Sequence, residues 1–452
     1  MARVEDGGQV VRDCYGREYL LRDSARDGIG RESAVWLAWP PMAAVGLLQY
    51  GFGVTAPALM ERNGWSLTGV FWLLAAWTVC QAGVGFPVAF LRERGWIGLR
   101  AVMLTGAVLC TAGVLALGRS PGLPGALLGY SVLGGTGAGL VYAACTSTVS
   151  KWHPERAAGQ VSIVTGAFAY GTVPFALAAV VRLDRVNLEH ALNVTAVLML
   201  VIVAGFGLFF RDPPAGWWPP YLDPRQWALR HAPGRRVNPP ATRQYTPPRA
   251  LHTGALAVMY LILLAAGAVS LFDAAFLVVF GLRNGTAASA VALAVGLLLG
   301  INGASRAVAV RISDRIGRGR TLKLVLLIQA VAQLALALAA GSSSGTALVV
   351  ASVLAGLGGG GFYPLFASLA RDYFGDRRAL EVHAVVYSAK ALGGVIGVGL
   401  AAIAVTVWGF AVVFVIAAGV ALTSTAATSA LHRPGLPNTL PGIRSPSARP
   451  AG

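Results

Sequence analysis

Twelve apolar runs of about twenty residues dominate this 452-residue chain, each long enough to cross the roughly 30 Å hydrocarbon core of a bilayer as a helix. They lie near 35–59, 67–91, 100–118, 124–147, 159–181 and 191–210, then near 253–277, 287–310, 322–340, 346–369, 383–405 and 408–430. Hydrocarbon offers no partner to backbone N–H and C=O groups, so runs of this kind become helices. The expected fold is an all-α membrane protein with twelve transmembrane helices. Charged residues make up 12% of the chain, about half the share of an ordinary soluble enzyme.

Basic residues set the expected orientation. With the N-terminus inside, cytoplasmic segments hold 29 of the 36 Lys and Arg, and outer segments hold five: Arg62, Arg119, Arg182, Arg185 and Arg283. That asymmetry follows the positive-inside rule, which places both termini in the cytoplasm of an inner or plasma membrane. The net charge of +17 is spread over loops instead of one surface, so nucleic acid is not an expected partner and the lipid bilayer is. Residues 1–33 contain no apolar h-region, and the first run is expected to act as its own insertion signal.

The chain reads as two pseudo-symmetric six-helix bundles. A shift of 221 residues aligns SVLGGTGAGLVY (131–142) with SVLAGLGGGGFY (352–363) without a gap, and Glu93-Arg94 with Asp314-Arg315. The expected units are a tail at 1–34, a bundle at 35–210, a cytoplasmic linker at 211–252, a bundle at 253–430 and a tail at 431–452. RDPPAGWWPPYLDP and VNPPATRQYTPPR make the linker too proline-rich for a regular helix. The glycine runs at 134–139 and 358–361 echo a dinucleotide loop, but they sit inside apolar runs and read as close-packing surfaces. Duplicated bundles put a binding site near the midplane where they meet.

Few ionisable side chains fall inside the runs: Asp273 in the seventh, Arg306 in the eighth, Lys390 in the eleventh, and His383 at that run's cytoplasmic mouth. Arg306 and Lys390 each lie roughly 10 Å deep from the same face at helical rise. Intramembrane charges usually face a cavity or a partner. Two cations at one depth make an electropositive pocket if their helices face each other, and its counter-charge would be a small organic anion with one or two carboxylates. Alternatively, either cation snorkels to the headgroups, or Lys390 pairs with Asp273. Tyr387 shares a helix face with Lys390, and Tyr142 and Tyr363 occupy equivalent places in the two halves, where they read as cavity wall or as ordinary packing. Asp273 and His383 are candidates for a proton-linked role, with protons as coupling ion; the alternative for His383, and the one favoured, is a polar residue at the membrane interface without a role.

Twelve runs in two halves, with SDRIGR (313–318) after the eighth and RERG (92–95) after the second, resemble the major facilitator superfamily. More narrowly, GLVYAACTSTVSKWHPERAAG (139–159), GGGGFYPLFASLARDYFGDRRAL (358–380), VVYSAKALGG (385–394) and RDPPAGWWPP (211–220) resemble the oxalate/formate antiporter family and its monocarboxylate-transporter-like relatives. The resemblance implies that Arg306, within Asn302-Gly303-Ala304-Ser305-Arg306, and Lys390, within Tyr387-Ser388-Ala389-Lys390, bind the carboxylate. It also implies a gating role for Asp314, with Arg315, and for the repeat counterpart Glu93, which stands where the family has an aspartate.

The expected function is secondary transport of a small organic anion, a mono- or dicarboxylate, by alternating access in exchange or proton-coupled mode. The alternatives are a drug or hydrophobic-compound exporter on the same fold and a non-transporting membrane sensor. The sequence shows no nucleophile–base pair, no P-loop pattern and no metal-ligand cluster within the runs, so neither enzymatic activity nor a cofactor or metal is expected.

Overall fold

The computed structural model describes residues 3–5, 8–12, 18–22, 30–230, 237–239, 241, 243–375 and 378–435. The C-terminal tail expected at 431–452 therefore lies outside the described residues from 436 onward. Among the described residues, ten helices are long and apolar enough to cross a membrane, and Arg31–Tyr50 with Phe52–Asn63 form a further crossing bent by 44°. Pro57 accounts for a bend here. It has no N–H to give the Gly53 carbonyl, and its ring crowds that carbonyl.

That broken pair is span one. Spans two to six are Leu67–Glu93, Leu99–Arg119, Leu123–Trp152, Ala157–Arg182 and Leu188–Phe209. Spans seven to ten are Gly254–Arg283, Ala288–Ile316, Arg318–Ala339 and Gly345–Phe374. The last helix, Ala379–Ala430, would be about 78 Å long at 1.5 Å per residue, more than twice the hydrocarbon thickness. It is broken at Gly409, whose φ of 78° suits a residue without Cβ, giving spans eleven and twelve. The fold is thus two six-helix bundles, and spans four and ten, which carry the aligned repeat, are both 30 residues long.

The glycine runs are close-packing surfaces, as expected. A Cβ on Gly139 would stand 2.5 Å from the Gln81 carbonyl of span two, and one on Gly360 would stand 1.9 Å from the Asn302 carbonyl of span eight. Small residues also bring the bundles together: a Cβ on Gly303 of span eight would lie 2.6 Å from the Gly166 carbonyl of span five. At the end formed by the loops between spans one and two and between seven and eight, Phe71 stacks on Phe276 with ring centroids 4.0 Å apart. This seals one side of the bundle interface. At the other end, a cleft of about 620 Å³, open space at its mouth included, runs inward between spans two, four and eleven.

A small sheet lies outside the spans. β1 (Arg3–Glu5), β2 (Gly8–Arg12) and β3 (Glu18–Leu21) form an antiparallel meander, and β4 (Trp217–Trp218) adds in parallel through Leu20 and Leu21. The linker departs from its expected lack of regular helix: Pro224–Arg230 and Pro247–Leu251 are short helices. Their prolines stand in the first turn, where no intrahelical N–H bond is lost.

Arg31 clamps this assembly to the first bundle. Only 6% exposed, it hydrogen-bonds Glu155 and the Tyr221 hydroxyl, and its guanidinium lies 5.9 Å from the centre of the Trp217 ring. It also donates to His153 Nδ1 at 2.8 Å. A guanidinium can only donate, so Nδ1 accepts and Nε2 carries the proton, donating to the Arg31 carbonyl at 3.1 Å. Arg92 ties the start of the linker in the same way, pairing with Asp212 at 2.7 Å. Burial would raise the Asp212 carboxyl, but Arg92 and Lys151 outweigh it and hold the group below its ordinary value.

Two outcomes follow. Gly360→Ala is expected to cost about 1–3 kcal/mol through overpacking and to lower the thermal midpoint of the purified protein, whereas Gly419→Ala, with open space around it, does not. Burial and then the neighbouring Arg31 push the His153 pKa below its ordinary value, so folding favours the neutral ring. The stability this brings is present above about pH 6.5 and is lost as pH falls below it toward the folded value. The drop in thermal midpoint between about pH 7.5 and about pH 5 should be smaller in His153→Gln than in the parent.

Candidate functional site

Arg306 and Lys390 are both buried, at 2% and 1% exposure, and neither snorkels. Each reaches from the second bundle to polar atoms of the first. Lys390 Nζ donates to Gln49 Oε1 at 2.6 Å on span one and to Gln81 Oε1 at 2.8 Å on span two, with the Tyr387 hydroxyl at 3.3 Å. Arg306 donates from Nη1 to the Thr165 carbonyl of span five at 2.7 Å. Its Nη2 donates to the Tyr50 hydroxyl at 3.1 Å and to Asn302 Oδ1 at 3.2 Å.

Rings complete the enclosure. The Lys390 ammonium lies 5.4 to 5.9 Å from the centres of the Phe168, Tyr387 and Trp77 rings, and the Arg306 guanidinium lies 5.3 Å from that of Tyr363. Desolvated cation–π contacts of this kind contribute about 2 kcal/mol. Hydrogen bonds from a charged group add about 1.5–3 kcal/mol each. Together they offset the several kcal/mol that burying each ion costs.

All of these partners are neutral. Among the described residues, neither cation is ion-paired to a carboxylate, so dipoles hold the charges in place without cancelling them. Arg306 Nε and the Trp77 indole N–H are buried donors without a partner. The site is therefore an electropositive cluster with donors to spare, a chemistry suited to a small anion.

The structure brings Tyr142, Tyr363 and Tyr387 to this cluster. Tyr142 of span four stacks on Tyr387 of span eleven at 5.3 Å and 17°, a contact that joins the two bundles. Tyr363 lies 6.3 Å from Tyr387. Tyr142, Tyr387 and Gln81 form the inner end of the cleft, and Glu93, Arg92 and Lys151 stand with His383 among its other walls. His383 lies 5.8 Å from the Tyr387 ring, outside the hydrogen-bond shell of either cation.

Other expected site residues lie elsewhere. Asp273 pairs with neither cation: both of its oxygens accept from Gln333 Nε2 of span nine, at 2.9 and 2.8 Å. Asp314 pairs within its own bundle with Arg318 at 2.8 Å, Arg318 lies 3.5 Å from Asp372, and Arg315 is exposed. Glu93 stands 4.0 Å from Lys151, also within one bundle. Among the described residues, an ion pair that does cross between the bundles here is Arg94 with Glu381, at 3.7 Å.

A scan for ionisable groups passes over Gln49 and Gln81, the residues that hold Lys390. Their signal is a lone amide in an otherwise apolar run, GLLQYG (46–51) and TVCQAG (78–83). Phe168 and Trp77 carry no such mark, since an aromatic ring in a membrane helix is ordinary packing.

Comparison with known proteins agrees with this architecture. A sequence model of the Major Facilitator Superfamily matches residues 42–348 and 304–449. The chain is 25% identical over 399 residues to the oxalate:formate antiporter of Oxalobacter formigenes, covering 88% of this chain and 90% of that protein. Its fold is similar to a crystal structure of a POT family transporter in complex with 5-aminolevulinic acid, with a TM-score of 0.64 and 13% identity over 88% of this chain and 95% of that one. A crystal structure of a POT family transporter in complex with a thioalcohol-conjugated peptide gives a TM-score of 0.65 and 13% identity over 91% of this chain and 98% of that one.

Gln81→Leu leaves the Lys390 ammonium short of an acceptor and is expected to destabilise the protein by about 2 kcal/mol. Adding Lys390→Met should recover most of that loss, as removal of both partners does in general. Thermal unfolding of the single and double variants in detergent measures the cycle.

Proposed function

The chain belongs to the major facilitator superfamily, and from that premise we propose that it is a secondary transporter of a small carboxylate, bound between Arg306 and Lys390. The observation that carries this reading is the pair of buried cations at the bundle interface, held only by neutral groups. Each keeps its charge for the cargo, so a dicarboxylate balances the chamber and a monocarboxylate leaves one positive charge over. At 4 Å and an effective dielectric of about 20, each cation–carboxylate contact is worth roughly 4 kcal/mol before desolvation takes back much of it. The relative's activity, exchange of oxalate and formate by its name, agrees with carboxylate cargo.

In this reading the cleft is the cytoplasmic entrance and the Phe71–Phe276 contact is the closed outer gate. Tyr142 and Tyr387 separate the cleft from the cations, so they move as cargo enters. Arg306 offers its free Nε–H to one carboxylate, while the Lys390 ammonium is a point charge that follows the other. Cargo bound to both bundles at once favours their closure around it, and rocking about the site then opens the other side. Asp314 with Arg318 and Arg94 with Glu381 act at the cytoplasmic end, where their contacts change as the cleft opens and closes.

An exporter of cationic compounds would need acids around the chamber. Among the described residues the acid lining the cleft is Glu93, on its wall, and Asp273 is turned to Gln333. That rival therefore fits poorly.

Counterflow into liposomes, with a panel of labelled mono- and dicarboxylates, tests the proposal. A dicarboxylate should exchange best. Arg306→Gln and Lys390→Gln each remove a charged contact worth about 2 kcal/mol, which lowers apparent affinity about thirtyfold. Normal counterflow in both variants would show that the cations are not the ligands, and binding without flux would favour the sensor.

A further inference from the structure

Asp273 lies within span seven at 3% exposure, facing span nine. Its two oxygens share one donor, Gln333 Nε2, and Gln333 is itself fully buried with its Oε1 left without a partner. A bare carboxylate would gain little from a single neutral amide, since removing such an ion from water costs several kcal/mol. A buried carbonyl oxygen with no donor adds a second cost.

Among the described residues, no cation answers the acid. The titratable groups inside the elements packed around it are Tyr50 on span one, Arg306 on span eight, Tyr363 on span ten, and His383, Tyr387 and Lys390 on span eleven. Toward the helix ends stand Glu61, Arg62, Arg249, Tyr260, Arg283, Arg311, Asp314, Arg315, Arg318, Arg320, Lys323, Arg371, Asp372, Tyr373 and Glu381. Among the described residues none of these is hydrogen-bonded or ion-paired to Asp273.

One proton removes both defects. Placed on a carboxyl oxygen, and with the Gln333 amide turned from its present contact with both oxygens, it donates to Gln333 Oε1 while Gln333 Nε2–H donates to the other oxygen, closing a cyclic acid–amide pair.

The location connects this pair to the transport machinery. The next residues on span seven make the seal: a Cβ on Gly53 of span one would stand 2.7 and 2.5 Å from the Ala274 and Ala275 carbonyls, and Phe276 stacks on Phe71. One turn back, Ser270 donates to the Gly359 carbonyl at 2.8 Å. Gly359 in turn packs against the side-chain amide of Asn302, which binds Arg306. Opening the seal must draw span seven away from span one, and this brings Asp273 toward water.

We propose that Asp273 and Gln333 form a proton-binding site, an acid–amide pair that is loaded while the Phe71–Phe276 seal is closed and exchanges its proton with water when that seal opens. The proton leaves the carboxyl oxygen for water, and no bond other than O–H is broken or made. The coupling rests on the transporter reading above; the chemistry of the pair does not.

Two measurements test it. The first is the infrared difference between the parent and Asp273→Asn at neutral pH, where an exposed aspartate, with a pKa of about 3.9, is ionised. A carboxylic-acid C=O band present in the parent and lost in the variant supports the site. A carboxylate band in its place overturns it. The second is counterflow between about pH 6 and about pH 9. Asp273→Asn is a neutral stand-in for the loaded form, so it should keep counterflow and show a pH profile flattened at least threefold relative to the parent. The same pH profile in both proteins overturns coupling to the seal. Absence of any carboxylate counterflow in the parent would remove the substrate reading, and the infrared result would still decide the proton site.

Discussion

The structure turns on two cations of one bundle solvated by the neutral dipoles of the other. Lys390 rests on Gln49 and Gln81, and Arg306 on the Thr165 carbonyl and the Tyr50 hydroxyl, so the charges are stabilised across the interface between the bundles. An internal carboxylate would have bound them more tightly. It would also have cancelled their field, because an ion pair in low dielectric has little to offer a third charge. Amides and hydroxyls give enough to keep the ions buried and leave the net charge in place.

This arrangement also explains why the glycines matter. The hydrogen bonds that cross between bundles require helix axes close enough for short side chains to meet, and the close approach of Gly166 to Gly303 supplies that on the span five to span eight contact. Within the second bundle, Gly360 lets span ten press on the backbone at Asn302, which sets the amide that accepts from Arg306. The aromatic seal at one end and the tyrosine stack beside the cleft then bracket the chamber, one on each side of the cations.

Much of this was legible before any coordinates. Run length and apolarity specify twelve spans because the bilayer imposes a length and forbids unsatisfied backbone. The 221-residue repeat specifies two like bundles. Arg306 and Lys390 stand out because charge is so rare in those runs. The small sheet joining the N-terminal segment to Trp217–Trp218 was not legible, since its strands are short and the pairing of β3 with β4 spans nearly 200 residues of chain. The linker's helices were hidden for a different reason: proline reads as a breaker unless it falls in a first turn.

Sequence by itself determined which groups are costly to bury, and hence where chemistry must be sought: Arg306, Lys390 and Asp273. Only the tertiary structure decided how each cost is met. Distance in space, which spacing along a helix does not encode across bundles, gave Lys390 two glutamines from the first bundle, kept Asp273 away from both cations, and paired it with Gln333. A buried charge announces itself in sequence through its own transfer energy. Its partner, being neutral, announces nothing until the helices are packed.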